Sequence, residues 1–250
     1  MDMDRKIYLF IFFSLVLTTG FAQTETASQF NTWYMYFGNH KIADKWKLHT
    51  EYQWRRHGLV QEWQQSLARI GLDYVVKPDV MITAGYAWIE SFPYGEQPIG
   101  ATFSEHRIWQ QLILNQRPGR IGFQHRYRLE QRYLQNKITT ASGVETDGYR
   151  FRNRVRYRFF ASYPLNRPVI EPDTWFLAFY DEIFIGFGRG IAKNVLDQNR
   201  LYGALGYQVN TAAQLQLGYL FHRVFKPDGI HREDNHTLQM ALFYNMDFTK

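Results

Sequence analysis

From Arg150 to Arg158 every second residue is an arginine, and the residues between them read Phe151, Asn153, Val155 and Tyr157. A period of two puts alternate side chains on opposite faces of a β-strand, so this stretch predicts a strand with one basic and one mostly apolar face. The two faces need different surroundings. An arginine turned to lipid at a bilayer midplane costs about 2–4 kcal/mol, so this row facing lipid would cost on the order of 10 kcal/mol. In a membrane the apolar row must face out and the arginines in.

The same phase recurs along the chain. Ile121, Phe123, Tyr127, Leu129 and Tyr133 alternate with Gln124, Arg126, Arg128, Glu130 and Arg132. Near the C-terminus, Leu238, Met240, Leu242, Tyr244, Met246 and Phe248 alternate with Thr237, Gln239, Ala241, Phe243, Asn245 and Asp247. Further strands run from Trp46 to Trp54 with Lys47, Glu51 and Arg55 opposite, from Ser66 to Val76 with Arg69 and Asp73 opposite, and from Leu215 to Phe221 with Gln214 and Gln216 opposite. Eleven candidate strands begin near Phe30, Lys45, Glu62, Asp79, Phe103, Arg120, Tyr149, Asp173, Gln198, Ala212 and Asp234. Bacterial single-chain barrels have even strand numbers, so the expected fold is all-β, an antiparallel up-and-down transmembrane β-barrel of ten or twelve strands. The miscount is expected in residues 24–38, read as one strand, two short strands or a lumenal stretch.

Composition agrees with a barrel. Mean hydropathy is only -0.42, yet 18% of residues are aromatic; alternation hides a barrel's hydrophobicity from any sliding average. Arg5 and Lys6, the apolar run Ile7–Leu17 and the site Gly20-Phe21-Ala22 predict a cleaved signal peptide over 1–22, with a core too short to span a membrane. The barrel domain is then 23–250, a single domain exported to the bacterial outer membrane. No cysteine is present, which excludes disulfides and a lipoprotein anchor. The segment 1–22 holds two basic and two acidic residues, so the excess of +6 is unchanged by its loss. In an exported protein that balance points to anionic lipid or small anionic solutes before nucleic acid.

Connections alternate in length: Lys77-Pro78, Arg117-Pro118-Gly119 and Asn210-Thr211 read as tight turns, and 92–102, 134–148, 187–197 and 223–234 as long loops. Short turns are expected at the periplasmic end and long loops outside. Aromatics near strand ends, such as Trp46 and Trp54, read as interfacial girdles.

Catalytic and phosphate-cradling motifs are absent from the sequence, so no enzyme and no cofactor are predicted. His222, His231 and His236 lie close in sequence, but they read as exposed loop histidines rather than a metal site. The strongest functional signal is the inward basic track of Arg126, Arg128, Arg132, Arg150, Arg152, Arg154, Arg156 and Arg158. Its possible acidic partners are Glu51, Asp73, Glu105, Glu130 and Glu182. The pattern supports either a structural ion-pair network or a lining that selects anions. Ten or twelve strands fall between a filled barrel and a wide porin, which favours a narrow or plugged lumen.

Several of these segments carry a family resemblance: Phe103–Leu112 with Glu105, His106, Arg107, Trp109 and Gln111; His125–Arg132; Phe151–Tyr157; Asp197–Gly203; and Asn235-His236. Over most of its length the chain resembles the outer-membrane barrel family termed domain of unknown function 2490. The resemblance implies fold and location and brings no reaction with it. Many outer-membrane barrels end in an aromatic residue, whereas here Thr249-Lys250 follow Phe248.

Three functions are compatible with this reading. One is a narrow channel or binding barrel for small anionic solutes; the second is a closed structural barrel that binds another envelope protein. The third is an outer-membrane lipid hydrolase using His125 or His106, although Glu105, adjacent to His106 on a strand, must point to the opposite face.

Overall fold

Residues 25–191 and 193–249 are described by the computed structural model; the expected signal segment 1–22 lies outside them. The strands are β1 (Glu25–Lys41), β2 (Trp46–His57), β3 (Glu62–Lys77), β4 (Val80–Ser91), β5 (Phe103–Gln116) and β6 (Gly122–Thr140), followed by β7 (Gly143–Pro164), β8 (Thr174–Phe187), β9 (Leu196–Gln208), β10 (Ala213–Phe225) and β11 (His231–Tyr244). Each pairs with its neighbours in sequence, and β1 pairs with β11 to close the barrel.

Eleven strands among the described residues correct the even count expected above. An even number follows only when every seam is antiparallel; with an odd number the first and last strands run the same way. β1 and β11 accordingly pair in parallel, from Glu25↔His231 to Phe37↔Phe243, while the other seams are antiparallel hairpins. Of the readings open for residues 24–38, the single strand is the one found, as part of the continuous β1 from Glu25 to Lys41.

The segment 134–148 is also corrected. It is the tip of a β-hairpin, in which β6 and β7 pair on to Thr140↔Gly143 beyond an irregularity between Gln135 and Lys137. Ile138, Thr139, Thr140, Val144 and Thr146 are good strand formers, and their pairing outweighs the glycines at 143 and 148 that suggested a loop.

One end of the barrel, here the loop end, carries 58–61, 92–102, 141–142, 188–195 and 226–230. The opposite, turn end carries 42–45, 78–79, 117–121, 165–173 and 209–212. Length therefore sorts the ends less cleanly than expected, because 165–173 is long at the turn end and 141–142 is short at the loop end.

The outer surface is an apolar belt: Ile70, Leu72, Ile82, Ile108, Val155, Leu177, Phe179, Leu201, Leu205, Leu217 and Leu242 are all exposed. Aromatic pairs flank it, with Trp46 against Tyr74 (4.8 Å) and Trp175 against Tyr207 (4.7 Å) at the turn end, and Tyr34 against Trp54 (5.1 Å) toward the loop end. Buried polar residues lie inside, including Glu51, Arg69, Glu105, Arg107, Arg128, Glu130, Arg154, Arg156, Glu182 and Arg200. The barrel is polar within and apolar without.

Candidate functional site: the arginine-lined lumen

Alternation on β6 and β7 turns Arg126, Arg128, Arg132, Arg150, Arg152, Arg154, Arg156 and Arg158 toward one interior cavity of about 540 Å³. The register faces like charges across the β6–β7 seam, as Arg126↔Arg158, Arg128↔Arg156 and Arg132↔Arg152. Such pairs repel unless carboxylates come between them. Glu182 on β8 receives Arg126 at 2.6 Å and Arg156 at 2.7 Å. Glu130 receives Arg154 at 2.6 Å and Arg156 at 2.7 Å, with Arg107 at 3.9 Å. Glu105 binds Arg107 and, at 2.6 Å, Arg132. Glu51 binds Arg69 and His49.

Asp73 departs from the expected role. It is buried, but Asn39 and Thr83 hydrogen-bond to it, and no arginine reaches it among the described residues. It lies near the turn end, opposite Lys47 and Thr83, while Arg69 sits four residues closer to the loop end on the same strand. A carboxylate the sequence reading passed over, Asp197 just outside the described β8–β9 loop, takes Arg154 at 2.5 Å and Arg132 at 3.7 Å instead.

Aromatic rings flank several of the lumenal cations, paired and unpaired. Trp109 is fully buried, with the guanidinium carbons of Arg128 and Arg69 at 4.7 and 5.4 Å from its ring. Its indole fits because β3 and β4 offer glycine there: a Cβ at Gly71 or Gly85 would come within 2.8 or 2.7 Å of the Trp109 ring. Arg55 and Arg200 lie 3.8 and 5.1 Å from Trp33, and Arg156 and Arg200 lie 4.2 and 4.6 Å from Phe184. A cation held near an aromatic face is stabilised without a carboxylate.

The lumen is thus unevenly compensated. Thirteen cationic side chains, twelve arginines and Lys226, line the cavity with five carboxylates, and Glu130 behind the wall makes six, an excess of seven positive charges. Arg55, Arg128, Arg152, Arg158 and Arg200 have no carboxylate within ion-pair distance among the described residues. Arg55 and Arg128 bond to glutamines, Arg55 to Gln53 and Gln65 and Arg128 to Gln111. Arg150 lies exposed at the loop-end rim, bonded to Gln135 and Asn136. Arg55, on the polar row of its strand, and Arg107 and Arg200, in the segments that carry the family resemblance, were not counted in the basic track read from the sequence.

The loop 92–102 reaches over the loop-end mouth. Tyr94 accepts a hydrogen bond from Gln64 at 2.8 Å and donates to Glu233 at 3.2 Å, and Lys226 reaches both the Gln97 carbonyl and Glu233. Gln64 is inward because a register shift at Arg55/Arg56 brings consecutive glutamines, 64 and 65, to the lumen, where Gln64 accepts from the Trp33 indole at 2.7 Å.

The histidines divide. His222, expected in an exposed loop, is instead buried in the lumen, edge-on to Trp33 at 5.4 Å, because β10 continues through it to Phe225. His231 is at the loop-end rim and His236 on the outer face beside Tyr219. No group of histidines and carboxylates suited to a metal occurs among the described residues. His125 pairs with the Tyr157 hydroxyl at 2.9 Å, and His106 with Tyr86 and Tyr149. Glu105 is committed to arginines inside, and among the described residues the hydrogen-bond partners of both histidines are tyrosine hydroxyls.

A family model described as "Protein of unknown function (DUF2490)" matches residues 30–233. No curated protein matches the chain. Among solved structures the chain is similar to one described as NanC porin in a rhombohedral crystal form, at 11% identity over 80% of this chain and 89% of that one, with a TM-score of 0.46.

Proposed function

Because this chain belongs to the DUF2490 family of proteins of unknown function, we propose its role from the barrel itself: a narrow channel or binding barrel for small anionic solutes, set in the bacterial outer membrane. The exposed apolar belt between aromatic rows supports a membrane setting, since soluble monomers rarely leave contiguous apolar surface of that extent in water. The observation that carries the solute class is the lumenal excess of seven positive charges around a 540 Å³ cavity. Charges that line a confined, low-dielectric passage raise the local concentration of counter-ions and set ionic preference.

Single-channel recording of the refolded barrel in a planar bilayer tests this, with the reversal potential read across a salt gradient. Anion-selective steps are expected. Reversing Arg154 and Arg156 would crowd new carboxylates against Glu130 and Glu182 and endanger the fold. Arg152→Glu combined with Arg158→Gln changes the field without setting a new carboxylate opposite Glu182, which faces Arg158 across the β7–β8 seam, and should move selectivity toward cations. Cation-selective steps in the unaltered protein, or unchanged selectivity in this pair, would remove the anion reading.

A second reading is a closed barrel that binds another envelope protein at its rim. The ion-pair network across the lumen and the loop at 92–102 favour it. It predicts electrical silence across many insertions and stable capture of a partner.

A further inference from the structure

We infer that the lumen takes amphipathic organic anions, with the charged head at Arg128 and Arg158 and the apolar body against a collar toward the turn end. This rests on the lumen being open to small solutes, as proposed above, and specifies their chemistry.

The collar is Met35, Phe37, Met81, Ile113, Phe160 and Phe243, all lining the cavity that the arginines line. Strand direction fixes its level. Met35 and Phe37 lie two and four residues beyond Trp33 toward the turn end, Ile113 four beyond Trp109, and Phe160 two beyond Arg158. Met35, Phe37, Met81, Phe160 and Phe243 point inward yet stay only half-buried, and the rings of Phe37 and Phe243 stack at 4.9 Å. Barrel interiors that pass water and hydrated ions are polar. Apolar surface left facing an aqueous lumen is unfavourable, and an apolar ligand body would cover it.

The head site borders this collar. Register sets Ile113 opposite Arg126 and Gln124 opposite Phe160, so Arg128 and Arg158 lie one inward step from collar members. Arg128 is 2% exposed; its Nε and Nη2 donate to Gln111 at 3.1 and 2.7 Å, and its Nη1 has no partner. Arg158 donates one bond, to Gln124 at 2.7 Å, and its Nε is unpartnered. Two guanidinium groups with spare donors and no carboxylate within ion-pair distance among the described residues suit a carboxylate ligand. A cavity of 540 Å³ falls in the usual range for small-molecule sites, roughly 300–1,000 Å³.

The test compares three probes on the refolded full chain by calorimetry and by block of single-channel current: 2-naphthoate, acetate and the neutral 2-naphthamide. Naphthoate is expected to bind at least tenfold more tightly than either control, since it alone has both head and body. Phe37→Gln with Phe243→Gln should bring naphthoate to the level of acetate and leave chloride selectivity unchanged, whereas Phe37→Leu with Phe243→Leu should retain binding. Arg128→Gln should weaken naphthoate and acetate together. Equal affinity for naphthoate and acetate in the unaltered protein overturns the inference, and so does full naphthoate affinity in the glutamine pair. Anion-selective steps without naphthoate preference would leave the channel standing and remove this proposal. Tight naphthoate binding by a silent barrel would do the reverse.

Discussion

Neutralising Glu182 should cost more stability than neutralising Glu130, although Glu130 has the larger set of arginines. Both are buried, and each holds two arginines at 2.6–2.7 Å, with Arg107 at 3.9 Å from Glu130 as well. In Glu130→Gln, Arg154 keeps Asp197 at 2.5 Å, Arg156 keeps Glu182 at 2.7 Å and Arg107 keeps Glu105. Every arginine still has a carboxylate, and the loss is that of hydrogen bonds to a charged group, about 2 kcal/mol. In Glu182→Gln, Arg126 is left with none, because Glu182 is its sole carboxylate among the described residues. A buried charge deprived of its partner costs about 3–5 kcal/mol. Urea unfolding in lipid vesicles reads the difference. With a slope of about 2 kcal/mol per molar, the midpoint should fall by roughly 2 M for Glu182→Gln and roughly 1 M for Glu130→Gln. Equal shifts, or the reverse order, would refute the idea that the last remaining carboxylate decides the cost.

Gly85→Ala should destabilise the barrel by about 1–3 kcal/mol, since the new Cβ meets the Ile70 carbonyl and the Trp109 ring; the same urea titration checks it, and a neutral result would mean that Trp109 is free to move. Tyr94→Ala should release the loop 92–102 from Gln64 and Glu233 and raise single-channel conductance, whereas unchanged conductance would show that the loop does not narrow the passage. The turn 226–230 should be most ordered between about pH 4 and 6.5. Asp228 is held down to about 2 by the backbone N–H groups of His231 and Ile230 and by the His231 side chain, so its contribution is present above the ordinary aspartate value and lost as pH falls through 2. His231 is raised by its hydrogen bond to Asp228, so its contribution is present below the ordinary histidine value and lost as pH rises through the raised one. Hydrogen exchange of the Ile230 and His231 amides should therefore show protection falling toward pH 8 beyond the ordinary base-catalysed trend.

Much of the barrel was legible because alternation is a local property. The arginines of β7 state their phase on their own, and each of the eleven candidate strands corresponds to one in the structure. Closure is not local. Nothing in Glu25–Lys41 announces that its partner lies two hundred residues away and runs parallel, and a rule about even numbers took the place of that information. The lumenal pairing was half legible. Glu130 and Glu182 stand out as charges on inward faces, but Asp197 sits at the edge of what reads as a loop, and the distinction between Asp73 and Asp197 depends on height in the barrel. Trp109 over Gly71 and Gly85 was invisible, because glycines in a strand read as weak points until the ring that fills them is in place.

The parallel seam has a consequence for assembly. Each antiparallel seam joins strands that follow one another in the chain and are tied by their own connection, but β1 and β11 share none, so their alignment has to be written in side chains. Slippage by two residues would preserve inside and outside and go unpunished by the apolar pattern. Asn31 Nδ2 donating to Asn235 Oδ1 at 2.8 Å, both buried, acts there as a vernier mark: Asn31 stands opposite Thr237, one inward step from Asn235, and a slip that carried Asn235 two residues farther away would break the bond. The last join of the barrel is therefore keyed by chemistry where all the others are keyed by connectivity.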